Sequence, residues 1–173
     1  MMTGVWNPLN SSESFVDRWF HLDDLPDRAA LGVWGLGTVI EIGFIGALAV
    51  EAARDQNVRG VVRLGSPLAI ERATVAVSNA VVDRDRPLRR WTRPGKLAPS
   101  SSSFPSGHAS NSFMAATLLT GRARPSVRYG LAGVVALSRI ATRVHQPGDV
   151  IAGALVGVAI ARVLNIWVSP EHD

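Results

Sequence analysis

The sequence contains no cysteine, and of its 18 basic residues only Lys96 is a lysine; the others are arginine. Without cysteine there is no disulfide framework, no zinc–thiolate site and no cysteine nucleophile. Nothing follows about the redox compartment, because a cysteine-free chain survives in any of them. No internal repeat is found, and residues 1–25 are polar and mildly acidic, lacking the basic start and apolar run of a signal peptide. The acidic residues are scattered, so no metal site and no cofactor are expected. What is present is 173 residues that are 47% hydrophobic, one domain's worth of chain and too apolar for disorder. The net charge of +4, carried by guanidinium groups, points to anionic partners such as phosphates and acidic lipid headgroups, with nucleic acid not expected.

Charge and hydropathy are segregated along the chain. Residues 31–50 form an apolar run interrupted only by Glu41. At about 1.5 Å per residue, twenty helical residues span a hydrocarbon core of about 30 Å. Apolar blocks follow at 61–82, 109–120, 129–141 and 150–168, the second carrying Arg63, Glu71 and Arg72. Glycine and alanine within them (Gly35, Gly37, Gly43, Gly46, Ala152, Gly153, Gly157) suit close helix contact in lipid. The pattern predicts an all-α integral membrane bundle of about five transmembrane helices, multi-pass in the cell membrane. A globular bundle of short apolar helices is the competing reading. Trp6, Trp19, Phe20, His21 and Leu22 predict an N-terminal interfacial helix, so residues 1–30 are read as an interfacial segment and 31–173 as the membrane domain. The serine run at 99–103 reads as a flexible loop.

Five crossings place the loops at 83–104 and 142–148 on one side of the bilayer. Arginines stand on both sides, so charge alone leaves the orientation open. Discounting Arg84, Arg86, Arg89, Arg90, Arg93 and Lys96 as parts of an anion site predicts an active face outside the cytoplasm.

Two of the four histidines stand in these same-side segments. Pro105-Ser106-Gly107-His108 opens an apolar block, and the unpaired N–H groups of a helix start, approached across a small Ser-Gly pair, form a cradle for an anion. The plainer reading is a proline-started helix capped by serine. Ser138-Arg139, His145 and Asp149 form a second constellation. Arg139 at membrane depth needs a polar cavity or a partner. Asp149, in the first turn of the last helix, is placed to accept from His145 Nδ1, which would fix the tautomer and leave Nε2 a lone pair able to attack phosphorus. The plainer reading is a helix cap by Asp149 and a snorkelling Arg139. Arg84-Asp85-Arg86-Pro87 is either a bidentate phosphate grip or a solvated basic loop.

Taken together and in this order, the three segments resemble the type 2 phosphatidic acid phosphatase superfamily, whose pattern is K-x6-R-P, then P-S-G-H, then S-R-x5-H-x3-D. The second motif is complete at residues 105–108 and the third at Ser138, Arg139, His145 and Asp149. The first departs, with Asn79 where the family has lysine, and Arg84 or Arg72 is the candidate replacement cation. The resemblance implies a phosphatase in which His145 is the nucleophile supported by Asp149, and His108 protonates the leaving alcohol. It implies that Arg86, Ser106, Gly107 and Arg139, joined by Asn79 and Arg84, bind the phosphoryl group. The implied substrate is a prenyl, polyprenyl or glycerolipid phosphate or diphosphate, hydrolysed through a phosphohistidine among membrane lipids. A non-catalytic lipid-phosphate-binding protein and a vanadium haloperoxidase are the alternatives.

Overall fold

The computed structural model describes residues 26–54, 58–82, 84, 86 and 102–168. The expected interfacial helix at the N-terminus lies outside these residues. Among the described residues five helices follow in order: α1 (Asp27–Arg54), α2 (Val58–Val81), α3 (Gly107–Leu118), α4 (Pro125–Ala141) and α5 (Pro147–Val168). Each covers all or most of one of the five apolar blocks, and no strand occurs among the described residues. Two of them, over 28–54 and 147–164, are long and apolar enough to cross a membrane by themselves. At 12 residues, about 18 Å of helix, α3 is shorter than a hydrocarbon core.

The short helix is the centre of the bundle. It packs against all four others, most extensively α5, and Ala109, Met114, Ala115 and Ala116 are buried in that contact zone. A 12-residue helix is marginal alone, so its stability comes from this packing. Small residues let the backbones approach. An added Cβ at Gly153 would meet the Ser106 carbonyl, and one at Gly157 the Ser110 carbonyl, so the GxxxG spacing on α5 seats directly on α3. Gly37 does the same for α1 against Ser138 and Arg139 of α4. Phe44, Leu48, Leu119 and Ala132 close a second apolar cluster toward the far end. There Arg128 donates to the carbonyls of Ala116 and Ala123, satisfying acceptors at the α3 terminus.

Polarity is inverted relative to a water-soluble core. α1 exposes Leu36, Val39 and Ile42 but buries Glu41; α2 exposes Val77 and Val81 but buries Glu71; α4 exposes Leu137 but buries Arg139; α5 exposes Ile151 and Leu155 but buries Asp149. Apolar side chains facing outward around buried charges are what hydrocarbon selects as a solvent.

Alternating helix directions bring the start of α1, the end of α2, the start of α3, the end of α4 and the start of α5 to one end of the bundle. Hydrogen bonds tie this end together across the sequence: Ser103 N donates to Arg84 O and Ser106 N to Asp149 O, each at 2.9 Å. The two motif-bearing loops therefore share one face, as the crossing arithmetic requires.

Candidate active site

The site is assembled from helix ends. Ser106 is the N-cap of α3, its hydroxyl accepting from Ala109 N. The Gly107 and His108 amides, first in the helix, have no intrahelical acceptor and are the donors an anion could meet there. At the other side, α4 ends in a turn in which Arg143 takes φ 52°, and the amides of Val144 and His145 both return to the Arg139 carbonyl. That turn brings His145 back over the bundle. The imidazole rings of His108 and His145 lie 6.4 Å apart between centroids, inclined at 60°. A phosphorus about 3–3.5 Å from an attacking nitrogen, with its leaving oxygen in hydrogen-bond reach of an acid, fits a gap of that size.

The partner of His145 differs from the sequence expectation. Nδ1 lies 2.8 Å from the Ser103 carbonyl oxygen, whereas Asp149 Oδ2 is 3.9 Å away, beyond hydrogen-bond range. A carbonyl only accepts, so Nδ1 carries the proton and Nε2 is the lone pair. The expected tautomer is therefore obtained from a main-chain acceptor. Asp149 is occupied elsewhere: Oδ2 accepts from Gln146 N at 2.9 Å, the reach-back of an N3 acid to its N-cap amide, and Oδ1 pairs with Arg84 Nη1 at 2.7 Å. Arg84, a candidate phosphate ligand from sequence, is in this way a partner of Asp149. Arg72, the other proposed replacement cation, is an exposed residue of α2 whose nearest acid is Glu71, at 3.9 Å.

Arg86 and Arg139 remain as the candidate phosphate donors. Arg86 Nη1 sits 3.4 Å from His145 Nε2 and donates to the Val144 carbonyl, while its Nη2 donates to the Ser102 carbonyl. Arg139 is fully buried; Nη2 is held by the Trp34 carbonyl at 3.1 Å and Thr38 Oγ1 at 3.0 Å, with the guanidinium 5.5 Å over the Trp34 ring. Its Nε and Nη1 are buried without a hydrogen-bond partner, two donors that an oxyanion would satisfy. Asn79 lies in the last turn of α2, its Oδ1 buried and unbonded.

Sequence reasoning missed four supports. Ser102 and Ser103, read as part of a flexible serine run, are buried: Ser102 Oγ bonds the carbonyl of Val82 and the amides of Arg84 and Phe104, and Ser103 holds His145. Thr38 anchors Arg139, and Glu41 lies with Oε2 3.5 Å from His108 Nε2. Glu41 alone had a signal in the sequence, as the single charge in its apolar run.

Comparison with known proteins bears on the family and the fold. The PAP2 superfamily profile matches residues 60–173. Decaprenylphosphoryl-5-phosphoribose phosphatase of Mycolicibacterium smegmatis is 35% identical over 117 residues, which are 66% of this chain and 61% of the relative, so the match spans less than two thirds of that protein. The protein of the same name from Mycobacterium tuberculosis is 31% identical over 127 residues, 72% of this chain and 68% of the relative. Among solved structures, a transmembrane PAP2-type phosphatidylglycerolphosphate phosphatase from Bacillus subtilis superposes with a TM-score of 0.71 at 19% identity, covering 96% of this chain and 90% of that one. Its likeness concerns the fold: a helical membrane bundle. With the profile matching most of the chain and both complete motifs lying within it, this protein belongs to the PAP2 superfamily.

Proposed function

We propose that this chain is a multi-pass membrane phosphatase that hydrolyses a lipid phosphate through a phosphohistidine at His145. The observation that carries this reading is the convergence of the two imidazoles, 6.4 Å apart, with Arg86 beside the His145 lone pair and a fully buried Arg139 holding two unused donors. The His145 Nε2 lone pair attacks phosphorus as the bond to the leaving alcohol breaks, and His108 gives that oxygen a proton. Water then attacks the phosphohistidine and loses a proton to His108. The P–N bond breaks, returning the lone pair to His145 and releasing inorganic phosphate. Fixed guanidinium and amide donors meet the charge on the phosphoryl oxygens, so electrostatic positioning supplies most of the rate.

The substrate proposed is a phosphate monoester carried on a polyprenyl lipid, including a polyprenyl-phosphate-linked phosphosugar, in line with the names of the mycobacterial relatives. Its phosphate enters at the joined helix ends while the tail lies along the apolar exterior. On this reading the end that carries the site lies outside the cytoplasm, once the arginines engaged in the site are discounted. Arg84 and Arg86 are engaged in the site, while Arg54, Arg122 and Arg124 are exposed at the opposite end and serve as the cytoplasmic anchors.

The test is phosphate release by purified protein in detergent from a panel of prenyl, polyprenyl-linked phosphosugar and glycerolipid phosphates. Wild-type turnover that is absent in His145→Ala is expected. Turnover retained in that variant would falsify the nucleophile assignment, and binding without turnover in the wild type would support the non-catalytic reading suggested by Asn79. Because the native chain lacks cysteine, single introduced cysteines labelled from either side of intact cells report the orientation directly.

A further inference from the structure

Glu41 is the feature of the bundle that the phosphatase chemistry leaves unused. It lies midway along α1, its side chain 10% exposed, in a segment whose outward neighbours Val39 and Ile42 face hydrocarbon. An ionisable group in such a place marks function when a specific partner is present. Two are. Oε1 accepts from Asn111 Nδ2 at 3.1 Å, a buried bond from α1 to α3, and Oε2 stands 3.5 Å from His108 Nε2, one turn earlier on α3. The Asn111 bond fixes which way the carboxylate points, and the carboxylate in turn faces one edge of the His108 ring. The His108 side chain is 38% exposed, and its ring centroid lies 6.4 Å from that of His145.

The other charges near Glu41 are distributed differently. Arg139 from α4 and Arg72 from α2 are the cations close enough to act on it, and Glu71 from α2 is the neighbouring acid. Glu71 is buried more deeply still, but its ion-pair partner is Arg72, on its own helix. Glu41 is therefore the acid aligned with the histidine, and Glu71 is a comparable buried acid that is not.

We infer that Glu41 is the positioning residue of His108: held by Asn111, it orients the imidazole and stabilises the imidazolium that donates a proton to the leaving alcohol. This inference rests on the phosphatase reading. It concerns only the proton-donating half of the reaction, so it makes a demand that a purely structural role does not. Loss of the carboxylate must matter more when the leaving group needs a proton than when it does not.

The experiment compares an alkyl phosphate, a short-chain prenyl monophosphate, with p-nitrophenyl phosphate, whose phenolate leaves unprotonated. Wild-type hydrolysis of both, lost in His145→Ala, establishes the phosphatase reading independently of Glu41. Glu41→Gln is then expected to lower kcat on the prenyl phosphate by about 10- to 100-fold, below the roughly 10²–10⁴-fold that a general acid itself contributes. Its KM and its rate on p-nitrophenyl phosphate stay within about threefold, which also reports an intact fold. His108→Ala should lower both rates, since His108 also takes the proton of the attacking water, and lower the prenyl phosphate rate further, with Glu41→Gln adding nothing on top of it. Glu71→Gln should leave the ratio of the two rates at its wild-type value. A Glu41→Gln enzyme with an unchanged ratio, whether both rates fall together or neither falls, overturns the inference. Should that variant fail to fold, Glu41→Asp is read by the same ratio, and a wild-type value again overturns it.

Discussion

Arg84 Nη1 donates to Asp149 Oδ1 at 2.7 Å, joining residues 65 positions apart at the rim of the site. The contact fixes the roles of both. Asp149 reaches His145 only at 3.9 Å, so its contribution is to tie the segment after α2 to the start of α5 and to place a negative charge near the histidine. Removing one member of a buried pair leaves the other uncompensated, at a cost of about 3–5 kcal/mol. Arg84→Ala is accordingly expected to lower the Tm of the detergent-solubilised protein and its kcat together. A variant with normal Tm and only a raised KM would return Arg84 to the phosphate ligands.

Thr38→Val provides a separate test of Arg139. The substitution keeps the side-chain shape but removes the oxygen that accepts from Nη2, leaving only the Trp34 carbonyl on that nitrogen. The predicted result is a several-fold weaker inhibition by vanadate, used as a mimic of the phosphoryl group, with the Tm lowered by the equivalent of about 1 kcal/mol for one lost hydrogen bond. Unchanged vanadate affinity would show that Arg139 is held without Thr38.

Helix packing predicts a sharp contrast among glycines. An added methyl at Gly157 would lie on the Ser110 carbonyl and 3.0 Å from Met114 N, so Gly157→Ala must push α5 off α3 and is expected to cost about 1–3 kcal/mol. At Gly46 nothing lies within 4 Å, and Gly46→Ala should be neutral or stabilising by up to about 1 kcal/mol. Thermal unfolding of the two variants in the same detergent checks both; equal Tm values would contradict the packing described.

Asn79 offers a gain-of-function prediction. It stands at the site end of α2 with Oδ1 unbonded, where the family pattern has a cation. Asn79→Lys adds a charge at that position and should lower the KM for an anionic substrate by up to about tenfold, more at low ionic strength than at high. A KM that does not respond to the substitution or to salt would place residue 79 outside the phosphate field.

The parts legible from sequence were those with a period or a spacing. Five apolar blocks became five helices, because hydrophobic runs and the Pro105 start are local signals. His108, Arg139, His145 and Asp149 were found because their spacing is itself the signal. What escaped were long-range partners. Thr38 and Glu41 lie about seventy or more positions from the residues they hold, and nothing within α1 says which face meets α3 or α4. The assignment of Asp149 to His145 followed from its place in the first turn of the last helix, but the terminus of α5 claims one oxygen and Arg84 the other. Ser102 and Ser103 were read as slack because composition describes side chains, whereas Ser103 acts through its backbone.

That last point bears on how the protein would look to systematic mutagenesis. The group that sets the tautomer of the His145 ring is a main-chain oxygen, so replacing Ser103 by alanine leaves it intact. Residue-by-residue scanning would therefore not report this contact. Only a change that redirects the peptide itself, such as an ester in place of that amide, would expose how much the reactive nitrogen owes to it.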